Sequence, residues 1–417
     1  MMSKEKRRVP KLRFPGFTED WEQRKLGDFY TFKNGLNKEK VYFGYGDSIV
    51  NFTDVFHNRQ IYSSTLKGKV CVNKKELENY KVKEGDLFFT RTSETIDEIG
   101  FPAVVMEPME RVVFSGFVLR GRAEKYDPLA NIFKSYIFFT DNFRSEMKKK
   151  SSMTTRALTS GTALKEMCFS YPKDLEEQTK IGEILLSLDK IITLHQRKLN
   201  NLKLKRKALL QKLFPKNGEG YPELRFPGFT DAWEQRKLGD VADVRDGTHD
   251  SPKFYNDGFP LVTSKNLKDG SIDFSDCSFI SKQDFDEINK RSKVDSGDIL
   301  FGMIGTIGNP AIVEHTGFAI KNVALIKEGI IVNNRFIYHL LSSKVFDNYI
   351  ARENAGGTQK FIALNQIRNF IFLAPTLEEQ NKIIELLDYI SQTITLHQRK
   401  LKHLQIQKKS LLQKLFV

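Results

Sequence analysis

The residues of this sequence that could take part in chemistry are polar and basic side chains gathered in short loops. Arg, Lys, Asn, Gln, Ser, Thr and His side chains supply the hydrogen bonds that proteins use on base edges and phosphates. Loops of this composition favour nucleic-acid contact. The candidates are Asn51, Arg59, Arg91, Thr92, Ser93, Thr154, Thr155, Arg156, Thr248, His249, Lys253, Ser264, Lys265, Asn266, Lys321, Thr358, Gln359 and Lys360.

The motif inventory argues against catalysis within the chain. Asn309-Pro310-Ala311 is not the NPPY or DPPY motif of an adenine methyltransferase, and no nucleophile elbow occurs. The segment 356–360 lacks the GxxxxGK[ST] spacing of a phosphate-binding loop. The cysteines have no zinc-site spacing and are expected to be reduced thiols: Cys71, Cys168 and Cys277. We therefore expect no catalytic residue, no metal site and no cofactor in this chain.

The composition is that of a basic globular protein. Lys and Arg number 66 against 52 Asp and Glu, which gives a formal net charge of +14. Such a field attracts polyanions, so nucleic acid is the leading partner and an acidic protein surface the second. The sequence has neither a long apolar run nor a secretion signal, and this pattern predicts a cytoplasmic location without membrane contact.

The chain contains two copies of one frame. Leu12–Asp28 (LRFPGFTEDWEQRKLGD) returns 212 residues later as Leu224–Asp240, with two differences in 17 positions. A second block, LEEQ…HQRKL…LLQKLF, begins at Leu175 and returns 202 residues later at Leu377. The sequences between these blocks have diverged. Both halves are thus expected to bind the same kind of partner through their ends and different ligands through their middles.

Each second block predicts a long helix. From Leu175 to Phe214 the sequence has no proline, and its apolar residues fall at helical spacing. A helix of about 35 residues spans roughly 50 Å. Polar positions interrupt the apolar seam at His195 and His397, where a structural role is favoured over catalysis. The predicted coiled-coil seam comprises Ile181, Leu185, Leu188, Ile192, Leu199, Leu202, Leu209, Ile383, Leu387, Ile390, Ile394, Leu401, Leu404 and Leu411.

The middles predict an α+β fold. Residues 29–173 and 241–374 alternate short β-like runs with turns, each followed by one helical run, Pro128 to Lys150 and Asn334 to Ala351. We expect a curved sheet with helices in each. The predicted boundaries are 1–173 for the first domain, 174–214 for its long helix, 215–221 for a linker, 222–374 for the second domain and 375–417 for the second helix.

Together these motifs resemble the specificity subunits of type I restriction-modification systems. The second half adds DGTHDSPKFYNDGFPLVTSKNL and GDILFGMIGTIG, and the resemblance covers nearly the whole chain. It implies two target recognition domains separated by an antiparallel coiled coil, with a pseudo-two-fold internal duplication. The first half departs from the pattern, because it lacks a DGTH segment and has Asn51-Phe52-Thr53-Asp54-Val55 nearby.

The resemblance also implies a set of partners. The domains would each recognise one half of a split sequence in double-stranded DNA. Two modification subunits would bring S-adenosylmethionine and methylate adenine, and restriction subunits would bring ATP and Mg for translocation and cleavage. Two other hypotheses stay open: an orphan bipartite DNA-binding protein, and a basic coiled-coil scaffold that binds proteins only.

Overall fold

The computed structural model describes residues 8–153, 155–216, 219–329, 331–353 and 361–417. The chain divides into two compact units, of which the first comprises Met1–His195 with Lys400–Val417 and the second comprises Gln196–Arg399. The three cysteines are free thiols. Among the described residues, no helix is both long and apolar enough to cross a membrane.

The first unit combines short strands with short helices. Its strands are β1 (Glu22–Lys25), β2 (Tyr30–Asn34), β3 (Phe43–Val50), β4 (Gln60–Ile61), β5 (Lys69–Val70), β6 (Leu87–Thr90), β7 (Thr92–Ser93), β8 (Pro102–Val105), β9 (Val112–Phe114), β10 (Val118–Ala123), β11 (Ser152–Met153), β12 (Ala157–Leu158) and β13 (Cys168–Tyr171). Its helices are α1 (Phe52–Phe56), α2 (Lys74–Tyr80), α3 (Asn131–Ile137), α4 (Asp141–Lys150), α5 (Gly161–Lys165) and the beginning of α6 (Leu175–Lys212).

A five-stranded sheet in the order β2-β10-β6-β8-β4 forms the centre of the first unit. Smaller sheets have the orders β5-β3-β9, β11-β12-β7 and β1-β13. Strand β6 is buried on both faces: Leu87 and Phe89 pack in one apolar cluster, whereas Phe88 packs in another. Alternate side chains of a strand point to opposite faces, so the continuous LFF run marks a strand covered on both sides.

The second unit is built from the same kinds of element. Its strands are β14 (Glu234–Lys237), β15 (Val244–Asp246), β16 (Phe259–Val262), β17 (Leu267–Lys268), β18 (Ser271–Ile272), β19 (Ser278–Ile280), β20 (Ile299–Gly302), β21 (Gly308–Ile312), β22 (Ala319–Ile320), β23 (Val323–Ile326) and β24 (Ile371–Ala374). Its helices are α7 (Leu238–Val241), α8 (Lys282–Ser292), α9 (Asn334–Leu341), α10 (Lys344–Glu353), α11 (Leu364–Arg368) and most of α12 (Leu377–Lys414).

Three sheets of the second unit repeat sheets of the first, whereas β17-β18 matches no sheet described there. The orders are β15-β23-β20-β21, β19-β16-β22, β14-β24 and β17-β18. Strand β20 alternates as β6 does, since Ile299 and Phe301 enter one apolar cluster and Leu300 another. Two middles with little sequence identity therefore fold into one architecture, and the expected α+β class with internal duplication is confirmed.

The predicted helical runs after the sheets are helical, and each is divided by a short break. Each predicted helical run after the sheet is two helices, α3 with α4 and α9 with α10. In the first unit the break ends at Thr140, which has an extended backbone and immediately precedes α4. In the second unit Ser342 and Ser343 separate the helices. Ser and Thr favour helix boundaries because their side chains compete for backbone hydrogen bonds.

The repeated terminal motifs are joined in each unit by an ion pair whose carboxylate is buried and whose guanidinium is half-buried. Arg13 of the first LRFPGF segment binds Glu177 of the first LEEQ segment through two hydrogen bonds of 2.7 and 2.8 Å. Arg225 and Glu379 repeat the arrangement at 2.8 and 2.9 Å. The hydrogen bond to Glu177 raises the pKa of Arg13. Such bidentate pairs need both partners, so the two motifs are retained together.

The end of each long helix block inserts into the core of one unit. Phe416 packs edge-on against Trp21 and stacks on Phe133, with ring centroids 6.2 and 5.4 Å apart. The second unit matches this packing, since Phe214 lies 6.4 Å from Trp233 in an edge-on contact. Each tryptophan therefore packs against the phenylalanine that ends one LLQKLF motif.

The long helices run antiparallel, as predicted. In the first unit Asp189 near the start of α6 pairs with Lys408 near the end of α12. In the second unit the late part of α6 meets the early part of α12, because Arg206 of α6 donates to the Ser391 hydroxyl of α12 at 3.0 Å. Helix α6 begins at the predicted Leu175 and ends two residues before the predicted Phe214.

Candidate nucleic-acid interface

A three-stranded sheet presents loops at one end in each unit. Its central strand, β3 or β16, is antiparallel to β5 or β19 and parallel to β9 or β22. The loop after the parallel strand, β9 or β22, lies beside the segment after the first strand of the large sheet, β2 or β15. We call this place the loop edge; it comprises 36–37 and 115–117 in the first unit, and 248–249 and 320–322 in the second.

Two backbone segments meet closely at the loop edge of the second unit. Thr248 and Lys321 form a parallel β-bridge, and Thr248 N–H donates to the carbonyl of Ile320 at 3.0 Å. A Cβ atom at Gly247 would lie 2.3 Å from that carbonyl oxygen. Only glycine allows this approach, which explains the second letter of the DGTH motif.

The exposed His249 imidazole joins the two segments. Its Nδ1 lies 2.9 Å from Asn322 Oδ1, and its Nε2 lies 3.0 Å from Asp246 Oδ2. The hydrogen bonds to Asn322 and then to Asp246 raise the pKa of His249 above its ordinary value. Arg291 binds the other Asp246 oxygen at 2.8 Å. The edge therefore presents a ring that is readily cationic beside fixed donors and acceptors.

Two further predicted residues join the same edge. Lys321 Nζ donates to Ser251 Oγ at 2.6 Å, which holds the ammonium group over the loop. The Ser264 hydroxyl donates to the Asn322 carbonyl at 3.2 Å. The structure thus gathers four candidates from three separate parts of the sequence, namely Thr248, His249, Ser264 and Lys321.

The first unit has a counterpart of the DGTH segment, contrary to the sequence prediction. Leu36 forms a parallel bridge with Ser115, as Thr248 does with Lys321. A Cβ at Gly35 would lie 2.2 Å from the Ser115 carbonyl oxygen. The counterpart is therefore Asn34-Gly35-Leu36-Asn37, in which the backbone requirement is retained and the side chains are changed. The segment 51–55, expected to stand in its place, matches 263–267 instead.

Several candidates of the first unit have structural partners. Asn51 precedes helix α1, and its N–H donates to Asp54 Oδ2 at 2.8 Å. The Arg59 guanidinium lies 3.7 Å from the Phe139 ring centroid, and burial lowers its pKa. Arg91 is half-buried and reaches the Gly116 carbonyl at 3.5 Å, beside the loop edge.

The remaining candidates of the first unit lie on or near a small sheet. Thr92 and Ser93 form β7, which pairs with β12. Arg156, next to the exposed Thr155, lies 3.8 Å from Glu94. Thr154 lies outside the described residues. Phe117, which the sequence did not single out, is 63% exposed at the loop edge.

The other candidates of the second unit divide into three groups. Asn266 is buried and donates to the Asp273 carbonyl at 3.1 Å, which is a structural role for its amide. Lys265 is exposed and pairs with Asp276 at 3.2 Å, and Lys253 is exposed. Three candidates lie outside the described residues: Thr358, Gln359 and Lys360. The contact of each candidate with DNA stays a prediction.

The predicted seam residues lie along the helix pair. All of them are buried or half-buried, and the most deeply buried are Leu185 and Leu387. His195 and His397 are half-buried in the same seam. The described part of the chain contains no cluster of three or more His, Cys, Asp or Glu placed to hold a metal ion.

The prediction from the sequence did not include three residues that lie at or beside the loop edges, Asn322, Asn37 and Arg291. Asn322 has a positive φ of 57°, a conformation that Asn tolerates better than most residues. An asparagine before a short apolar run was a weak signal for this turn. Asn37 could have been found by aligning Gly35 with Gly247 at the 212-residue shift.

Comparison with known proteins decides the family. The model of the type I restriction modification DNA specificity domain matches residues 18–204 and again 230–405. The chain belongs to this family. Members are non-catalytic specificity subunits, and the catalytic activities lie in partner subunits.

Relatives within the family agree over different lengths. The MjaVIII specificity subunit of Methanocaldococcus jannaschii is 22% identical over 424 residues, which cover 96% of this chain and 92% of that protein. The EcoBI specificity subunit of Escherichia coli is 30% identical over 131 residues, covering 31% of this chain and 27% of the other.

Solved structures show the same fold. The S subunit of a type I restriction-modification system from M. genitalium has a TM-score of 0.64 at 14% identity, with 98% of this chain and 99% of the other covered. A chain from a study of complex assembly and conformational transition in the type I system has a TM-score of 0.54 at 16% identity, and 98% and 99% are covered.

Proposed function

We propose that this specificity subunit recognises a bipartite site in double-stranded DNA, with each unit recognising one half. The observation that carries the proposal is one scaffold with different side chains at equivalent positions. His249 and Asn322 in the second unit correspond to Asn37 and Gly116 in the first. Groups that contact base edges determine which sequence is bound, so the two halves of the site would differ.

The charges and polar groups at the loop edge of the second unit fit such a ligand. Lys321 and a protonated His249 attract phosphates, whereas Asn322 offers an amide of the kind used on adenine. The net charge of +14 adds a long-range attraction for DNA. The antiparallel helix pair would fix the spacer between the two halves.

We further propose that two modification subunits dock on the long helices. Exposed apolar residues recur at equivalent positions of α6 and α12, where Leu194 matches Leu396 and Leu204 matches Ile406. Each of these side chains is about 60% exposed or more. Apolar residues on the outer face of a helix favour the docking of another helix. Two equivalent sets support two copies of one partner.

The chemistry would then belong to the partners. S-adenosylmethionine would be bound by the modification subunits, which methylate adenine, and ATP and Mg by the restriction subunits. The chain itself would hold no cofactor. Its residues would position the DNA, so that the target adenines of one site are presented for methylation and an unmethylated site is presented for restriction.

Single-molecule sequencing of adenine methylation tests the proposal. Host DNA is compared with and without this chain, expressed together with its modification subunit. We expect one split motif with a fixed spacer to be methylated only when the chain is present. Unchanged methylation by an active modification subunit would contradict the proposal.

A measurement of binding to duplex DNA separates the scaffold hypothesis. A DNA-binding subunit loses affinity steeply with salt, because each neutralised phosphate releases counterions. A chain that binds its modification subunit but no duplex at low salt would be a protein-interaction scaffold.

A further inference from the structure

Each three-stranded sheet carries an exposed aromatic pair at the end opposite to the loop edge. The aromatic pair is Tyr42-Phe43 in the first unit and Phe254-Tyr255 in the second, again 212 residues apart. Their side chains are 40%, 37%, 55% and 45% exposed, in that order. Single exposed aromatic residues are common, but the same pair in two diverged domains indicates a shared requirement.

The backbone holds both pairs in the same way. Phe43 lies opposite Val70 and Tyr255 lies opposite Phe279, each across an antiparallel bridge to the neighbouring strand. The Cys71 N–H donates to the Tyr42 carbonyl at 2.8 Å. The pairs are thus fixed by main-chain hydrogen bonds, and their rings are presented on a braced edge.

A glycine follows each pair in a conformation that other residues rarely adopt. Gly46 has a φ of 90° and Gly258 a φ of 144°. A Cβ atom would lie 2.7 Å from the Val70 carbonyl at Gly46 and 2.4 Å from the Ile280 carbonyl at Gly258. The turn that projects the rings has therefore been kept in both units although most of the surrounding sequence has changed.

The two units differ from each other at one end of the three-stranded sheet and agree at the other. The aromatic pair precedes or begins the central strand, and the loop edge lies beyond its other end. Phe43 and Asp47 both lie opposite Val70, so the regular part of β3 between the two ends is Asp47–Val50, about 10 Å long. Side chains at the loop edge differ between the units, as different DNA half-sites require. The aromatic pair is the same in both units, so its partner must be the same for both.

Charge around the pairs favours a protein partner over DNA. Lys38 lies 4.6 Å from the Tyr42 ring centroid, but Glu76 neutralises it at 2.7 Å. In the second unit the segment 250–258 contains two acids and one lysine, Asp250, Asp257 and Lys253. The equivalent segment of the first unit, 38–46, has Lys38, Lys40 and Glu39, and Glu76 brings it to balance. A DNA-binding surface carries an excess of positive charge, which neither place has. Apolar rings with balanced charge are typical of protein–protein interfaces.

We propose that each aromatic pair is a docking point for one modification subunit, separate from the helix surface. The partner would offer an apolar pocket that accepts two adjacent rings. Because Tyr and Phe exchange places between the pairs, the pocket would enclose the rings and leave either hydroxyl at its rim. The inference rests on the proposed function, since it assumes that two modification subunits bind this chain.

The test uses the full chain and its purified modification subunit. The variants are Tyr42→Thr with Phe43→Thr, Phe254→Thr with Tyr255→Thr, and all four together. Threonine keeps the β-propensity of the strand edge. Matched controls are Tyr126→Thr and Tyr221→Thr, which remove tyrosines more than 60% exposed elsewhere on the two units. Mass photometry during titration gives the number of bound subunits.

We expect one pair of substitutions to weaken one of two subunit sites about tenfold or more, as loss of aromatic anchors does at interfaces. The variant with all four substitutions should bind both modification subunits more weakly, and the control variants should bind them as the unsubstituted chain does. The affinity of every variant for duplex DNA should stay within about twofold. Unaltered subunit binding in the fourfold variant would overturn the inference. So would a loss of DNA affinity with normal subunit binding, because it would assign the rings to DNA.

Failure of the underlying function would look different. In that case the unsubstituted chain itself would bind no modification subunit. Thermal unfolding of each variant is measured in parallel, and a variant that unfolds at the temperature of the unsubstituted chain is a valid test of docking.

Discussion

Replacing Phe416 by Ala should destabilise the first unit. Phe416 is 6% exposed and contacts the rings of Trp21 and Phe133. The neighbouring backbone is held as well, since Leu12 N–H donates to the Lys414 carbonyl at 2.8 Å. Leu415 and Phe416 therefore belong to the core of the first unit.

The expected loss of unfolding free energy is about 3 kcal/mol, the lower end of the range for Phe→Ala in a core. For a unit of this size such a loss lowers the midpoint of thermal unfolding by roughly 6–12 °C. Differential scanning calorimetry measures the shift. Hydrogen exchange should locate the loss of protection in the first unit.

An exposed phenylalanine of the same unit provides the control. Phe117→Ala removes a ring that is 63% exposed, so its effect should stay within about 0.5 kcal/mol. If Phe416→Ala shifted the midpoint no more than Phe117→Ala does, the assignment of the LLQKLF ends to the cores would be wrong.

Three further predictions concern charge. Arg13→Met leaves the Glu177 carboxylate buried without its bidentate partner and should cost about 3 kcal/mol in chemical denaturation, whereas Arg13→Lys should cost less. The raised pKa of His249 keeps its imidazole cationic to a higher pH than that of an ordinary histidine, and the charge is lost as the pH rises through the folded pKa. Affinity for the second half-site should then fall about fivefold, the value of one charge at about 4 Å in water, and His249→Asn should abolish this pH dependence in an anisotropy titration. Arg91→Glu should weaken the first half-site and Lys265→Glu the second, with a shallower dependence of affinity on salt in both; unaltered affinity would remove these residues from the interface.

The frame of the protein could be predicted from the sequence because its signals are local or repeated. The 17-residue repeat located both units, and heptad spacing located α6 to within two residues of its end. The alternation of short β-like runs with turns indicated sheets with helices in both middles. These features depend on periodicity, which survives without knowledge of tertiary contacts.

The loop edges could be predicted only in part. Thr248 and His249 were selected because glycine and polar residues cluster there, whereas Asn322 joins the loop edge through a contact across 73 residues of sequence. The Asn34–Asn37 segment was missed because only its glycine is under the steric constraint and its side chains have diverged. Asn266 was selected for its polarity, whereas its amide is used to hold the turn at Asp273. Polarity alone does not separate such structural groups from binding groups.

The central claim is that side chains at the loop edges select the bases of each half-site. The most direct test grafts the first unit's residues onto the second by His249→Asn and Asn322→Gly; glycine accepts the φ of 57° at position 322. Adenine methylation is then mapped by single-molecule sequencing in cells that express the variant with the modification subunit. We expect altered or relaxed bases in one half of the motif, with the other half and the spacer unchanged. A motif identical to that of the unsubstituted chain, at full methylation, would contradict it.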